Sequence, residues 1–229
     1  MSVPLRVALL LTAAALCACT LPHSAPGPPA NGTVVLPSPQ LIAAVQRDTD
    51  RIDQSTDSTE RTRLLATATT NAQQCIAQTP QNGDCHYVWA KVLGLTARER
   101  PVQAVALLKE MLANLTRAEA LNPAFDHAGP AAVKCRGYCC VPRVGRWGPG
   151  DADAAVLAAQ RALDRDPAYP PNLITLAQAQ AKSDARDAAR ATFVKAGVAV
   201  AAWPAVTAEE TAGRAAWQHE VDQGIQDLR

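Results

Sequence analysis

An all-α solenoid of about four helical hairpins closed by a C-terminal helix is the fold this sequence predicts, and three observations carry the prediction. The apolar residues make up 48% of 229, yet only 4% are aromatic, so Ala, Leu and Val carry the apolar share, and such a composition favours helices over sheets. One supersecondary unit is written twice, since Ala118-Glu119-Ala120-Leu121-Asn122-Pro123 is echoed by Ala162-Leu163-Asp164-Arg165-Asp166-Pro167. No segment sustains the period of two that marks a strand.

Proline has no N–H and clashes with the turn before it, so each copy of the unit ends a helix and reverses the chain. Pro123 and Pro167 are 44 residues apart, which fits a helical-pair repeat of about 34 residues lengthened by a loop of about ten, visible as Val141 to Gly150. The finer spacing resembles the tetratricopeptide repeat, whose second helix carries small residues at fixed intervals before its closing proline. Ala155, Ala159, Ala162 and Pro167 keep that spacing, Ala189, Phe193 and Ala196 keep it in the next unit, and Leu115, Ala118 and Pro123 keep part of it upstream. Small side chains let one helix approach the next, and no hairpin buries its apolar face alone.

Taken in order, Ser38-Pro39 opens the first helix, with Leu41, Ile42, Val45 and Ile52 as its stripe. Asp57 with Glu60 reads as a capping pair for the second, whose stripe is Leu64, Leu65, Ala68, Ala72, Cys75 and Ile76. Asp84 caps a third that runs to about Arg98, and Pro101 opens a fourth with Val105, Leu108, Met111, Leu112, Leu115 and Ala118 on one side. The fifth runs from about Asp126 to Tyr138, the sixth from Asp151 to Asp164, the seventh from Pro171 to Lys182 and the eighth from Ala185 to Val198. The last begins at Thr207, boxed with Glu210, and carries Trp217, Val221, Ile225 and Leu228.

Residues 1–18 read as an export signal, with Arg6 as the positive region and Val7 to Leu16 as an apolar core too short to span a bilayer. Leu16-Cys17-Ala18-Cys19 resembles a bacterial lipoprotein box, in which a small residue precedes the acylated cysteine; Cys19 fits and Cys17, behind Leu16, does not. The resemblance implies a mature protein held to a membrane by lipid at Cys19, and Thr20 in place of Asp implies the periplasmic side of the outer membrane. Residues 19–39 are Pro-rich and form a tether, leaving 40–229 as the helical-repeat domain.

Five cysteines remain, in a compartment where disulfides persist. Cys75 ends one helix and Cys85 begins the next across a turn, so the two are expected to pair. Cys135 and Cys139 on one helix have Cβ atoms about 5 to 6 Å apart, more than a relaxed disulfide tolerates. Either the helix ends before Cys139 or Cys135 reaches Cys140, and one thiol is left over both ways. Adding His127 to Cys135, Cys139 and Cys140 gives no zinc spacing, so no metal is expected.

The residues from Gly83 to Arg100, with Gly83-Asp84-Cys85-His86-Tyr87-Val88-Trp89-Ala90 at their head, resemble the first block of the TRAP-transporter T-component (TatT) family of periplasmic lipoproteins. A second block is more distinctive: Leu121-Asn122-Pro123, Asp126, Ala128-Gly129-Pro130, Gly150-Asp151 and Pro167-Ala168-Tyr169-Pro170-Pro171-Asn172. Membership implies a tetratricopeptide-like fold and, in characterised relatives, a homotrimer with an apolar pore that associates with a transporter's solute-binding component. Where the family has an Arg and a Leu-Gly pair after its Gly-Pro, this chain reads Ala131-Ala132-Val133-Lys134-Cys135.

No phosphate loop, Gly-x-Ser-x-Gly elbow or His-Glu-x-x-His helix is present, so neither an enzyme nor a cofactor is expected. With 22 basic against 21 acidic residues there is no field to draw nucleic acid. The binding candidates are His86, Trp89 and Arg98, for which lining a concave groove competes with Trp89 packing between helices, and Trp147 in the inserted loop. The sequence thus points to a non-enzymatic, lipid-anchored scaffold that offers a concave or pore-like surface to a periplasmic partner, such as a transporter's solute binder. A carrier or sensor of an apolar small molecule is the alternative.

Overall fold

The computed structural model describes residues 36–139 and 150–229. One compact unit spans Leu36–Arg229. The export signal, Cys19, most of the tether, Cys140 and Trp147 lie outside the described residues. Among those described there is no strand, and the elements are α1 Ser38–Gln54, α2 Ser58–Gln78, α3 Gly83–Glu99, a 3-10 turn Pro101–Gln103, α4 Ala104–Leu121, α5 Phe125–Cys139, α6 Ala152–Arg165, α7 Pro170–Lys182, α8 Arg186–Ala202 and α9 Ala208–Asp227. Helices pair as α1 with α2, α3 with α4, α5 with α6 and α7 with α8, and α9 closes the stack on α7 and α8.

The helix ends share one cause. Thr79, Arg100, Asn122 and Asp166 each precede a proline and each sits at φ between −148° and −129° and ψ between 72° and 83°. The ring of the following proline excludes the helical region for the residue before it. Each of these residues still donates its own N–H to the carbonyl four back, so the helix closes its last turn and then turns away. Gly83 makes the next step possible, because a Cβ there would lie 2.9 Å from the Asn122 N and 3.1 Å from the Ala118 O. The start of α3 therefore seats directly against the end of α4.

Odd-numbered helices touch one another in succession, α1 with α3, α3 with α5, α5 with α7 and α7 with α9, whereas no two even-numbered helices are in contact. Helices that touch along one layer and splay along the other curve the stack, so the odd helices form its concave side. The core follows from small residues in the middle and larger ones at each end. Leu41, Val45, Val88 and Leu115 are fully buried between α1 and α4, and Phe193, Val200 and Val221 between α7 and α9. Between them Ala128, Ala131, Ala155, Ala158, Ala159 and Ala162 form a seam at which α5 and α6 approach closely. The expected burial of Ala155, Ala159 and Ala162 holds, each at 0% exposure.

Cys75 and Cys85 are joined, with Cα atoms 5.5 Å apart, and fasten α2 to α3. Four expectations are corrected. Asp57 accepts from the Thr59 N at 2.8 Å, but Glu60 turns to Arg51 and Ser55 instead of closing a capping box, because the Arg51 cation is at hand. Asn82, not Asp84, caps α3; the Asp84 carboxylate accepts from the Asn122 side chain at 2.7 Å. α8 runs four residues beyond Val198, to Ala202, since Val200, Ala201 and Ala202 extend it up to Trp203-Pro204. At the start of α5 the chain is left-handed before it is right-handed. The Thr207–Glu210 box on α9 is present as expected, and no described helix is long and apolar enough to cross a membrane.

Replacing Ala159 by Leu should force α5 and α6 apart and cost roughly 1–3 kcal/mol. Urea denaturation followed by circular dichroism checks this, with the exposed Ala120→Leu as the control that should change little.

Candidate functional site

Four of the odd helices, α1, α3, α5 and α7, turn one face into the concave side. On α1 that face is Ala43, Gln46, Arg47, Asp50 and Asp53; on α3 Tyr87 and Lys91; on α5 Gly129, Ala132, Val133 and Arg136; on α7 Pro171, Asn172 and Thr175. The spacings of three and four residues place each set on one side of its helix. Together they line a groove of about 630 Å³. Ala43, Gly129 and Ala132 leave the room, and larger side chains at these positions would fill it.

The N-terminal end of α5 shapes the groove's rim. Asp126, His127 and Ala128 have φ of 51°, 55° and 63°, a full left-handed turn of three non-glycine residues. Such residues cost about 1–2 kcal/mol each, and their neighbours hold them. The buried Asn172 donates its side-chain amide to the His127 carbonyl at 3.1 Å, the Asp166 carbonyl at 3.0 Å and the Ala162 carbonyl at 3.3 Å. The Tyr87 hydroxyl donates to Asp126 at 2.5 Å. His127 bonds through Nδ1 to Asp166 at 2.8 Å and lies flat on Tyr169, ring centroids 4.0 Å apart. Trp203 and Trp217 close around Tyr169 at 5.6 Å each.

Gly129 and Pro130 then start the right-handed part. A Cβ on Gly129 would stand 2.6 Å from the Tyr87 hydroxyl, so only glycine admits that ring. Pro130 falls in the first right-handed turn, where its missing N–H would have had no helical partner. Ala128-Gly129-Pro130 and Tyr169-Pro170-Pro171-Asn172, some 40 residues apart in sequence, are in this way one structure. Gly150 is buried, and Asp151 caps α6 by accepting from the Ala154 N at 3.0 Å.

Burial raises Tyr87 well above the usual tyrosine value, and the charge and hydrogen bond of Asp126 add to the effect. Tyr169 is raised by burial and then by Asp126. Among the groove's charges Lys91 pairs with Asp50 at 3.5 Å and Arg98 with Asp53 at 3.0 Å. Away from the groove Glu119 on α4 accepts from Arg161 at 2.6 Å and Lys134 at 3.3 Å. Burial pushes the Glu119 carboxyl up, but these two cations hold it below its usual range. Among the described residues no three metal-ligating side chains converge.

No protein-family profile matches this sequence, and no curated protein does. A solved structure is similar in its backbone: a thermophilic TPR protein of Thermus thermophilus superposes with a TM-score of 0.52 over 78% of this chain and 91% of that one, at 18% identity. The fold is tetratricopeptide-like.

Within this tetratricopeptide-like stack the residues expected at the site divide. His86 is buried between α3 and α4, bonded to Asn114 at 2.8 Å and to the Pro80 carbonyl at 3.0 Å, and does not face the groove. Trp89 packs against the same core and donates to Glu110 at 3.1 Å. Arg98 is exposed and meets the groove only through Asp53. Cys135 is buried, its thiol directed to the Thr175 carbonyl, while its expected partner Cys140 and the binding candidate Trp147 lie outside the described residues. Sequence reasoning missed Arg47, Tyr87, His127, Arg136 and Thr175 as groove residues. Their helical spacing with Ala43, Gly129 and Ala132 was the available signal, hidden because any surface stripe shows it.

Two outcomes are expected here. Asn172→Leu takes the side-chain donor from the His127 and Asp166 carbonyls, leaves the Ala162 carbonyl with only the Asp166 N–H, and should lower stability by about 2–3 kcal/mol in urea. Because the folded Tyr87 resists ionisation, it contributes stability that is present below a pH of about 10, the unfolded value, and lost as pH rises beyond it. Denaturation between about pH 8 and 11 should show a steeper alkaline loss for the unaltered protein than for Tyr87→Phe.

Proposed function

We propose that this protein is a non-enzymatic scaffold, lipid-anchored at Cys19 on the periplasmic side of the outer membrane, that holds a segment of a partner protein in its concave groove. The observation that carries the reading is the groove itself, about 630 Å³ lined from four successive odd helices by Arg47, Asp50, Asp53, Lys91, Asp126, His127 and Arg136. Mixed charge on a concave helical-repeat surface suits a polypeptide, whose backbone and side chains offer both donors and acceptors. The same lining speaks against the alternative, a carrier of an apolar small molecule, which needs a mostly apolar pocket.

The narrower reading, an accessory of a TRAP-type transporter, is supported by the ordered motifs over residues 83–182, of which Ala128-Gly129-Pro130 and Tyr169-Pro170-Pro171-Asn172 build the groove's rim. The partner is then a solute-binding component, and homo-oligomers are part of the same reading.

A photo-crosslinking residue at Ala132, on the groove floor, tests both levels in the intact envelope. Mass spectrometry should identify a periplasmic solute-binding protein as the crosslinked species, and filling the groove with Ala43→Trp should abolish the adduct. Recovery of lipid alone, or an adduct indifferent to the filled groove, would overturn the partner reading. Cys19→Ala should lose its acyl chains and leave the membrane fraction; unchanged retention would defeat the anchor.

A further inference from the structure

In an up-and-down stack the starts of the odd helices and the ends of the even ones share one edge. Here contacts run along that edge without a break. Gln78 at the end of α2 donates to the Leu36 carbonyl ahead of α1 at 3.1 Å, and Cys75 is joined to Cys85 at the start of α3. Asn122 at the end of α4 donates to Asp84 of α3, and Tyr87 of α3 donates to Asp126 of α5. Asn172 of α7 holds the carbonyls that end α6, and Tyr169 meets Trp203 at the end of α8. Leu36, where the chain enters the stack from the direction of Cys19, therefore lies on the same edge as Trp203.

The two edges differ in charge. On the entry edge the connections 78–82, 121–125 and 202–207 contain no charged residue, and 166–170 contain only Asp166, which is bonded to His127. Charges that border it are engaged by the protein: Asp84 by Asn122, Asp126 by Tyr87 and Arg117 by the Pro80 carbonyl. On the opposite edge residues 98–100 read Arg-Glu-Arg, and residues 182–187 carry four charges. The entry edge instead exposes apolar side chains, with Leu121 at 41% and Val206 at 91%, and Pro80, Ala168 and Pro204 are exposed as well. Val102 is just as open on the opposite edge, but it is a single apolar residue beside charged ones, and isolated residues of that kind are ordinary surface.

We infer that the entry edge is a membrane-contact surface, laid against the head-group boundary of the bilayer that holds Cys19. The inference rests on the anchor in the proposed function and adds how the anchored protein stands. An edge without free charge meets that boundary at no cost in desolvated ions. Tyr169 and Trp203, half-buried against each other on this edge, are of the residue types that collect where hydrocarbon gives way to water. The chain outside the stack is long enough to allow the contact. Residues 19–35 number 17 and reach at most about 50 Å at ~3.1 Å each, whereas five odd helices side by side extend only about 40 Å. Because the tether enters on this edge, it does not have to run past the helices for the whole edge to lie down. The helices then stand upright on the bilayer, and the groove opens sideways, parallel to the membrane, where a soluble partner can reach it.

Photo-crosslinking in vesicles tests the inference without any protein partner present. The full lipidated chain is reconstituted in phosphatidylethanolamine and phosphatidylglycerol, with the reporter at Leu121 or Val206 on the entry edge or at Val102 on the opposite one. Lipid adducts are expected at Leu121 and Val206 and are expected to be lost at Val102. Equal lipid adducts on both edges, or none at Leu121 and Val206, would overturn the inference. Leu121→Asp combined with Val206→Asp should keep its helical circular dichroism, since both side chains are exposed, and should lose the lipid adduct formed from a reporter at Ala168; an unchanged adduct there also overturns it. The anchor is read separately. Release of Cys19→Ala from the membrane fraction, with no lipid adduct at Val206 in the lipidated chain, leaves the anchor standing and the edge fallen. Retention of Cys19→Ala with the adducts at Leu121 and Val206 intact leaves the edge standing and the anchor fallen.

Discussion

The exclusion of the helical region immediately before a proline is the constraint on which this architecture depends. It acts at Thr79, Arg100, Asn122 and Asp166, and it gives all four nearly the same backbone angles. A helix ended in the same way each time hands the chain to the next helix at a similar angle, which is what lets hairpins stack in one direction. Side chains then secure each junction differently. The Asn122 amide reaches from the end of α4 back to Asp84 of α3, and the Asn172 amide reaches from α7 back to the carbonyls that end α6.

Asn172 links that scaffold to the groove. By holding the His127 carbonyl as well as the end of α6, it ties a helix terminus to a left-handed turn that would not persist alone. The turn lifts Asp126 and His127 to the rim, and Gly129 lets Tyr87 pass beneath them to bond Asp126. Local strain of this kind survives where several neighbours over-determine the backbone, and it accumulates at sites that have to present particular groups. Here the groups presented are a carboxylate, an imidazole stacked on a tyrosine and, further along the same helix, the Arg136 guanidinium.

The division of labour between the faces of the helices explains the composition. Alanine dominates between α5 and α6, where it brings the backbones together, and again inside the groove as Ala43 and Ala132, where it leaves space instead of filling it. Lys134, nearly buried, is accommodated because Glu119 lies against it and is shared with Arg161, so the charge is compensated across α4, α5 and α6. Few aromatic residues are needed for such a core. Three of those present, Tyr169, Trp203 and Trp217, pack edge to face and close its C-terminal end.

The helical class, the hairpin count, the buried alanines at 155, 159 and 162, the Cys75–Cys85 pairing and the Thr207 box were all legible in the chain, because each follows from neighbours within a few turns or from a repeated spacing. Asp57 caps α2 as expected, but Glu60 and Asp84 were misread because Arg51 on the preceding helix and Asn122 at the end of α4 drew away the carboxylates expected to complete or supply a cap. His86 and Trp89 could not be distinguished from groove residues, since a helix displays several faces and only the packing of α4 decided which one was covered. By itself, then, the sequence determined where helices begin, end and bury small side chains, which are matters of backbone sterics and periodicity. Which face looks into the groove, and the left-handed turn that joins Gly129 to Tyr87 and Asn172 to His127, were decided by tertiary structure alone, because those contacts exist only once helices some 40 residues apart lie side by side.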